Sequence, residues 1–139
     1  MRSSLLSISL FSLLLLLGCS KGSGIPTVPV KGKITFAGGK PPAPVSITFA
    51  PVETENNLPK LAGVAVVAED GTYYVKTEQA GNGLVPGRYS VNIDCWKQAP
   101  TMQGPGVSHV PVGFHPAQEL VVKTGGAAIE YPIDVPANP

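Results

Sequence analysis

The sequence predicts an all-β domain, a sandwich of about seven short strands, carried behind an N-terminal export leader. Three observations lead there. After residue 19 no run of apolar residues repeats at helical spacing, whereas short runs alternate apolar and polar. Sixteen glycines and fifteen prolines punctuate those runs, too densely for long helices. And 43% of the residues are hydrophobic against 14% charged, enough apolar material for a core. The 139 residues make one domain, since roughly 120 remain after the leader. A chain of that size buries about two-thirds of its unfolded surface and folds without disulfide staples. Net charge is +1, and losing Arg2 with the leader leaves nine Lys+Arg against nine Asp+Glu. With no basic patch to neutralise phosphates, nucleic acid is not an expected partner.

The leader comes first in the chain. Met1 to Ser4 carries one positive charge, Arg2, and Leu5 to Leu17 is an apolar stretch of 13 residues broken only by serines. Thirteen helical residues reach about 20 Å, short of the ~30 Å hydrocarbon core of a bilayer. A cleaved signal peptide over 1–18 is therefore expected rather than a permanent span. Leu16-Leu17-Gly18-Cys19 resembles the lipobox of bacterial lipoproteins, [LVI]-x-[GA]-C. The resemblance implies a diacylglycerol thioether on Cys19 and cleavage just before it. Long acyl chains anchor stably, each buried CH₂ contributing about 0.8 kcal/mol. Ser20, in place of Asp, is by the same resemblance compatible with transfer to an outer membrane. Residues 19–26 form the lipidated cysteine and a flexible linker containing Lys21-Gly22-Ser23-Gly24.

The domain proper is expected over 27–136. In its first strand Val28, Val30, Ile34 and Phe36 share one face and Lys31, Lys33 and Thr35 the other. Gly38 to Pro42 reads as a turn, and Val45, Ile47 and Phe49 face inward on the second strand. Leu61 to Ala68 is apolar on both faces and suits a central buried strand. Asp70-Gly71 supplies positive φ angles for a hairpin. Tyr73 and Val75 point inward beyond it. After Pro86-Gly87 the inward set is Tyr89, Val91 and Ile93. The last pair is Leu120 to Lys123 and Ala128 to Val135, joined through Gly125-Gly126. Pro132 removes a ladder donor, which places its strand at an edge or points that position outward. The pattern suggests an immunoglobulin-like or transthyretin-like sandwich.

Val30-Lys31-Gly32-Lys33-Ile34-Thr35-Phe36, followed by Gly39-Lys40-Pro41-Pro42 and Val45 to Pro51, resembles the opening of carboxypeptidase regulatory-like (transthyretin-like) domains, which occur as lipoproteins of the planctomycete type. Asp70-Gly71-Thr72-Tyr73-Tyr74-Val75, Pro86-Gly87-Arg88-Tyr89-Ser90-Val91 and Leu120 to Gly125 match the later hallmarks. The resemblance covers nearly the whole mature chain. It implies a fold and no catalytic residues, because the matched positions are turn glycines, core apolars and one hairpin aspartate. The related 5-hydroxyisourate hydrolases use His and Arg and end in Tyr-Arg-Gly-Ser. This chain ends Val135-Pro136-Ala137-Asn138-Pro139, and Arg88 is its only arginine after the leader, so that activity is not expected.

The chemistry-bearing residues do not converge on paper. His109 and His115 are two potential ligands where a metal site needs three or four. Cys95 ends an inward-facing alternation; with Cys19 acylated it has no partner, and burial as a small apolar residue is the expected role. Glu69-Asp70-Gly71 is only a fragment of a calcium loop. The chain lacks a Gly-x-Ser-x-Gly elbow, a Walker loop and a Gly-x-Gly-x-x-Gly turn, so no cofactor is implied. Trp96 opens a loop of about 20 residues that also holds Met102 and Phe114, an unusual length for a connection. Trp96 and Phe114 are the candidate binding residues: exposed, Trp96 could stack on a sugar, whereas buried it packs under the loop, the preferred reading. The expectation is a lipid-anchored, non-enzymatic envelope domain whose role is structural or is to contact other envelope proteins or polysaccharide. The alternatives are a carbohydrate-binding module on Trp96 and the 96–117 loop, and an enzyme using Cys95 or His109.

Overall fold

The computed structural model describes residues 24–138. The signal peptide over 1–18, Cys19 and most of the linker lie outside the described residues. The described chain is all-β: β1 (Val30–Phe36), β2 (Val45–Thr54), β3 (Gly63–Val67), β4 (Thr72–Thr77), β5 (Gly81–Asn82), β6 (Gly87–Gln98), β7 (Val107–Ser108), β8 (Leu120–Val122), β9 (Ile129–Glu130) and β10 (Ile133–Val135). A single 3₁₀ turn, Glu55–Asn57, comes after β2. The strands form one curled, mixed sheet in the order β10-β1-β4-β3-β2-β6-β7, with β5 beside β4, β8 beside β6 and β9 beside β1.

The alternation read from the sequence is the alternation observed. Val28, Val30, Ile34, Ile47, Phe49, Tyr73, Val75, Tyr89 and Val91 are all buried, and Phe36, Val45 and Ile93 pack partly buried against them. The sheet must curl to bring these side chains together. Phe49 on β2 and Tyr131 between β9 and β10 are separated by β3, β4 and β1, roughly 19 Å across a flat sheet at 4.8 Å per strand. Their ring centroids are 6.5 Å apart and edge to face. Tyr131 also donates its hydroxyl to the Gln118 carbonyl, just before β8, so it ties one margin of the sheet to the other.

Four expectations are corrected. The last two runs do not pair with each other. β8 is antiparallel to β6, while β9 and β10 run parallel to β1, with Val30 opposite Ile129 and Ile34 opposite Ile133. Pro132 sits exposed in the break between β9 and β10, at the margin of the sheet. The β3 strand is central in the order but covered on one face only: Gly63 and Ala65 are buried, whereas Val64 and Val66 are exposed. In the β3–β4 hairpin only Gly71 has positive φ, at 90°. Gly71 donates to the Ala68 carbonyl and Ala68 to that of Thr72, so a wider turn closed by one left-handed glycine replaces the expected pair of positive φ angles. Asp70 instead accepts from the Thr72 amide and hydroxyl, which holds its carboxyl below the usual range. Finally, β6 runs on to Gln98, so Trp96 belongs to a strand, opposite Ser108 of β7, and does not open the loop.

The register fixes which segments share an end of the sheet. At one end, Val28 exchanges backbone hydrogen bonds of 2.9 Å each way with Leu84. β3 starts at that level, since Gly63 faces both Thr77 and Phe49 in the middle of β2, and β2 continues past it to Thr54, which faces Gly87 at the start of β6, where Leu120 of β8 pairs with Tyr89. At the other end are Phe36, the start of β2, the β3–β4 turn and the end of β6, because Val45 faces Cys95 and Val67 faces Tyr73.

Candidate functional site

The long segment between β6 and β8 leaves from the end of the sheet opposite Val28. Its backbone is built rather than slack. Thr101 and Gly104 exchange hydrogen bonds of 3.0 and 3.2 Å, and the Gln103 amide donates to the Thr101 hydroxyl. The chain then returns as β7 against β6. His109 donates its amide to the Cys95 carbonyl, which also accepts from the Ser108 hydroxyl. A second turn is closed by the Phe114 amide on the Pro111 carbonyl. Phe114 packs partly buried against the core and holds this turn down. The Asn138 side-chain amide donates to the Ser108 carbonyl, fastening the C-terminal segment to the same place.

Two ion pairs mark where the segment rejoins the sheet. Arg88 on β6 lies 3.2 Å from Glu53 on β2 and 3.4 Å from Glu119 just before β8. Beyond β8, Glu55 accepts from the Thr124 amide and hydroxyl, which lowers its pKa. The chain's one arginine after the leader is thus spent on joining β2, β6 and the approach to β8.

The sequence-derived candidates separate. Trp96 is 39% exposed and alternates outward from buried Cys95, whereas Phe114 faces the core. No ring contact joins them among the described residues. Cys95 is fully buried, its thiol 3.6 Å from the Ala43 carbonyl, and burial pushes its pKa up, opposite to what a thiolate nucleophile needs. His109 is half-buried and His115 exposed; among the described residues no three His, Cys, Asp or Glu side chains are grouped as a metal would require. Cys19 lies outside the described residues.

The structure also exposes residues that sequence reading did not single out as candidates. Met102 and Val112 stand at the two turns of the long segment, 106% and 105% exposed, with Val107 half exposed between them. The signal in the sequence is compositional: no Asp, Glu, Lys or Arg occurs from Gln98 to Gln118. Nearby, Pro41 to Val45 and Val67 to Glu69 line an open cleft of about 490 Å³ at the same end of the sheet. On the outer face, Val64, Val66 and Tyr74 form a small apolar row, Tyr74 opposite Val66 and under the Lys76 ammonium at 5.5 Å. No family model, curated protein or solved structure matches the chain.

Proposed function

We propose that the protein is a lipid-anchored, non-enzymatic interaction domain of the bacterial cell envelope, exported by its leader and held to a membrane through Cys19. One observation carries the reading: β6 carries the first part of the long 99–119 segment, with its Thr101–Gly104 turn and β7, past Cys95 to the end of the sheet away from Val28, while its last residues return to Tyr89 near the start of β6. The chain is fixed at Val28, nine residues beyond Cys19, so the tether reaches at most about 30 Å. By the register Val28 lies level with Phe49, and Trp96 lies beyond Val45, about 17 Å further along the sheet at 3.3 Å per residue. A domain held with its Val28 end toward the membrane presents the Thr101–Gly104 turn and β7 away from it, toward other envelope components.

The finer fold reading is a sandwich of the transthyretin-like or immunoglobulin-like kind, in the carboxypeptidase regulatory-like family. Two contacts support it. The Phe49–Tyr131 contact packs one part of the curled sheet over another. Tyr89, at the start of β6, donates its hydroxyl to the Val85 carbonyl four residues upstream at 2.6 Å, the arrangement of a tyrosine corner in Greek-key sandwiches. Gly32 and Gly71, both in the matched motifs, each sit where a Cβ would strike backbone of a neighbouring segment.

Metabolic labelling with a fatty-acid probe tests the anchor. The wild type takes up the label and Cys19→Ser does not; label persisting in Cys19→Ser refutes lipidation there. A carbohydrate-binding reading rests on the partial exposure of Trp96. Glycan binding that disappears in Trp96→Ala supports it, and a quencher-resistant Trp96 emission sinks it.

A further inference from the structure

We propose that Asn82-Gly83 is a site of spontaneous covalent modification, at which Asn82 cyclises onto the Gly83 nitrogen and becomes aspartate or isoaspartate, and that the pairing of β5 with β4 gates the reaction. The proposal goes beyond the anchoring role and does not depend on it.

Sequence sets the reactive pair. An asparagine modifies itself when its side-chain carbonyl carbon meets the backbone nitrogen of the next residue. A side chain on that next residue crowds the approach, and glycine has none. Of the five asparagines, Asn82 alone precedes a glycine. Asn56, Asn57 and Asn92 precede Asn57, Leu58 and Ile93, and Asn138 precedes a proline, whose nitrogen has no proton to lose. The fold also demands the glycine. Gly83 has φ 98°, and a Cβ there would strike the Val28 carbonyl oxygen. A bulkier residue that would slow the reaction therefore has no room after Asn82.

Geometry sets the gate. Asn82 is exposed and Gly83 is buried. The Gly83 amide donates to the Val75 carbonyl at 2.8 Å, and its carbonyl accepts from the buried Thr77 hydroxyl at 2.7 Å. While these bonds hold, the nitrogen keeps its proton and does not turn to the Asn82 side chain. Yet the hold is local. β5 is two residues long and pairs with β4 alone, Asn82 opposite Lys76 and Gly81 opposite Thr77. So short an edge strand opens at a lower free energy than the whole domain.

The chemistry needs only water. With β5 open, water takes the Gly83 proton and the nitrogen attacks Asn82 Cγ. The N–Cγ bond forms, the Cγ–Nδ2 bond breaks, and the side-chain nitrogen leaves as ammonia with a proton returned by water. Water then opens the cyclic imide. Breaking the new N–Cγ bond gives aspartate in an unchanged main chain. Breaking the original peptide bond gives isoaspartate, with one more carbon in the main chain. The two products differ in consequence. Lys76 faces position 82 across the ladder, so aspartate gains an opposite-charge neighbour. Isoaspartate lengthens the chain just before Leu84, which exchanges both backbone hydrogen bonds with Val28, and so loosens that clasp.

The test incubates the full lipoprotein in detergent, in mildly alkaline water enriched in heavy oxygen, and locates the label by peptide mass spectrometry. The expected result is label at 82, as aspartate and isoaspartate, entering faster than at 56, 57 or 92. Thr77→Val, which removes the hydroxyl bond to Gly83, raises the rate about tenfold, the worth of one buried hydrogen bond, and Thr77→Ser restores it. No label at 82, or label no faster there than at the other asparagines, overturns the site. A rate unchanged in Thr77→Val, or equal in folded protein and in guanidinium, overturns the gate. Exchange of the Gly83 amide keeps the gate testable if Thr77→Val does not fold. In wild type, small additions of guanidinium raise exchange and labelling together, and labelling that stays constant while exchange rises overturns it. The separated isoaspartate form exchanges its Val28 and Leu84 amides faster than Asn82→Asp does; equal protection overturns the loosening of the clasp.

Discussion

Gly32→Ala tests the packing that closes the sheet. Gly32 sits in β1 with ordinary φ, so no conformational strain is at issue, only space. A Cβ there falls inside van der Waals contact of the Tyr131 carbonyl oxygen and 2.8 Å from the Tyr73 hydroxyl. That hydroxyl donates to the same Tyr131 carbonyl, in a buried bond across 58 residues of sequence. A methyl group therefore wedges β9 and β10 from β1 and separates the hydroxyl from its acceptor. Overpacking costs about 1–3 kcal/mol, and leaving a buried polar pair unmade costs about 1–3 kcal/mol more. The expected loss is about 4 kcal/mol, a large part of the roughly 5–15 kcal/mol typical of a domain. Urea unfolding of residues 20–139 reads it as a lower midpoint at unchanged slope, by about 2 M for a slope near 2 kcal/mol/M. Gly104→Ala is the matched control, since open space surrounds that position at ordinary φ, and it leaves stability within about 0.5 kcal/mol. A double-mutant cycle isolates the cause: in a Tyr73→Phe background the cost of Gly32→Ala falls by about 1 kcal/mol or more. A Gly32→Ala variant as stable as the control refutes the argument, and an unchanged cost in Tyr73→Phe refutes the part played by the hydroxyl.

Three other positions give sharp expectations. Gly71→Ala places a Cβ at φ 90° against the Ile34 carbonyl, whose own amide bonds back to Gly71, and loses about 2–4 kcal/mol by urea unfolding; a loss below about 1 kcal/mol removes the claim that this glycine is required. The Cys95 thiol, buried and raised in pKa, reacts with a disulfide reagent orders of magnitude more slowly in the folded protein than in guanidinium; equal rates contradict its burial. Tyrosine burial makes the fold alkali-sensitive. Tyr89 is pushed up to about 12 and Tyr73 and Tyr131 are raised, all mainly by desolvation, so their stabilisation is whole below the ordinary value of 10 and is lost as pH rises toward 12. For Tyr89 this amounts to about 2–3 kcal/mol, and a urea midpoint unchanged between about pH 9 and 11.5 contradicts it.

The inward face of nearly every strand was legible in the sequence because side-chain direction in a strand has a period of two. Val28, Val30, Ile34, Tyr73, Val75, Tyr89 and Val91 needed only counting. Neighbours were not legible, because alternation says which face a residue takes and nothing about which strand lies beside it. Thus the alternation in Ala128 to Val135 holds for Tyr131, Ile133 and Val135, yet the segment crosses to run parallel with β1. Leu61 to Ala68 misled for a related reason: an apolar run on both faces signals cover on both faces, and here the outer face has none, leaving Val64 and Val66 exposed. The candidate surface was legible only as an unusual length and an absence of charge. Trp96 and Phe114, the conspicuous aromatics, do not come together, because β6 runs on to Gln98 and alternation turns Trp96 outward beside Ser108, while Phe114 packs against the core.

Tyr131 connects this packing to the proposed role. Its hydroxyl reaches the Gln118 carbonyl at the end of the uncharged segment, its carbonyl receives the Tyr73 hydroxyl, and its ring meets Phe49. Next to Gln118, Glu119 is held by Arg88, so the segment's return to the sheet is fastened from two sides. Tyr131→Phe keeps the ring and the backbone carbonyl and removes only the bond to Gln118. It should cost about 1–2 kcal/mol of global stability, because the phenol is lost but the Gln118 carbonyl lies near enough to the surface to find water. Hydrogen exchange distinguishes a local effect from a global one. If Tyr131 secures the return of the segment, protection of the His109 and Phe114 amides falls more than that of the β2–β6 ladder amides. Equal losses at both places would mean that the segment is held by β7 and Phe114 alone, and that closure of the sheet and placement of the segment are independent features of the fold.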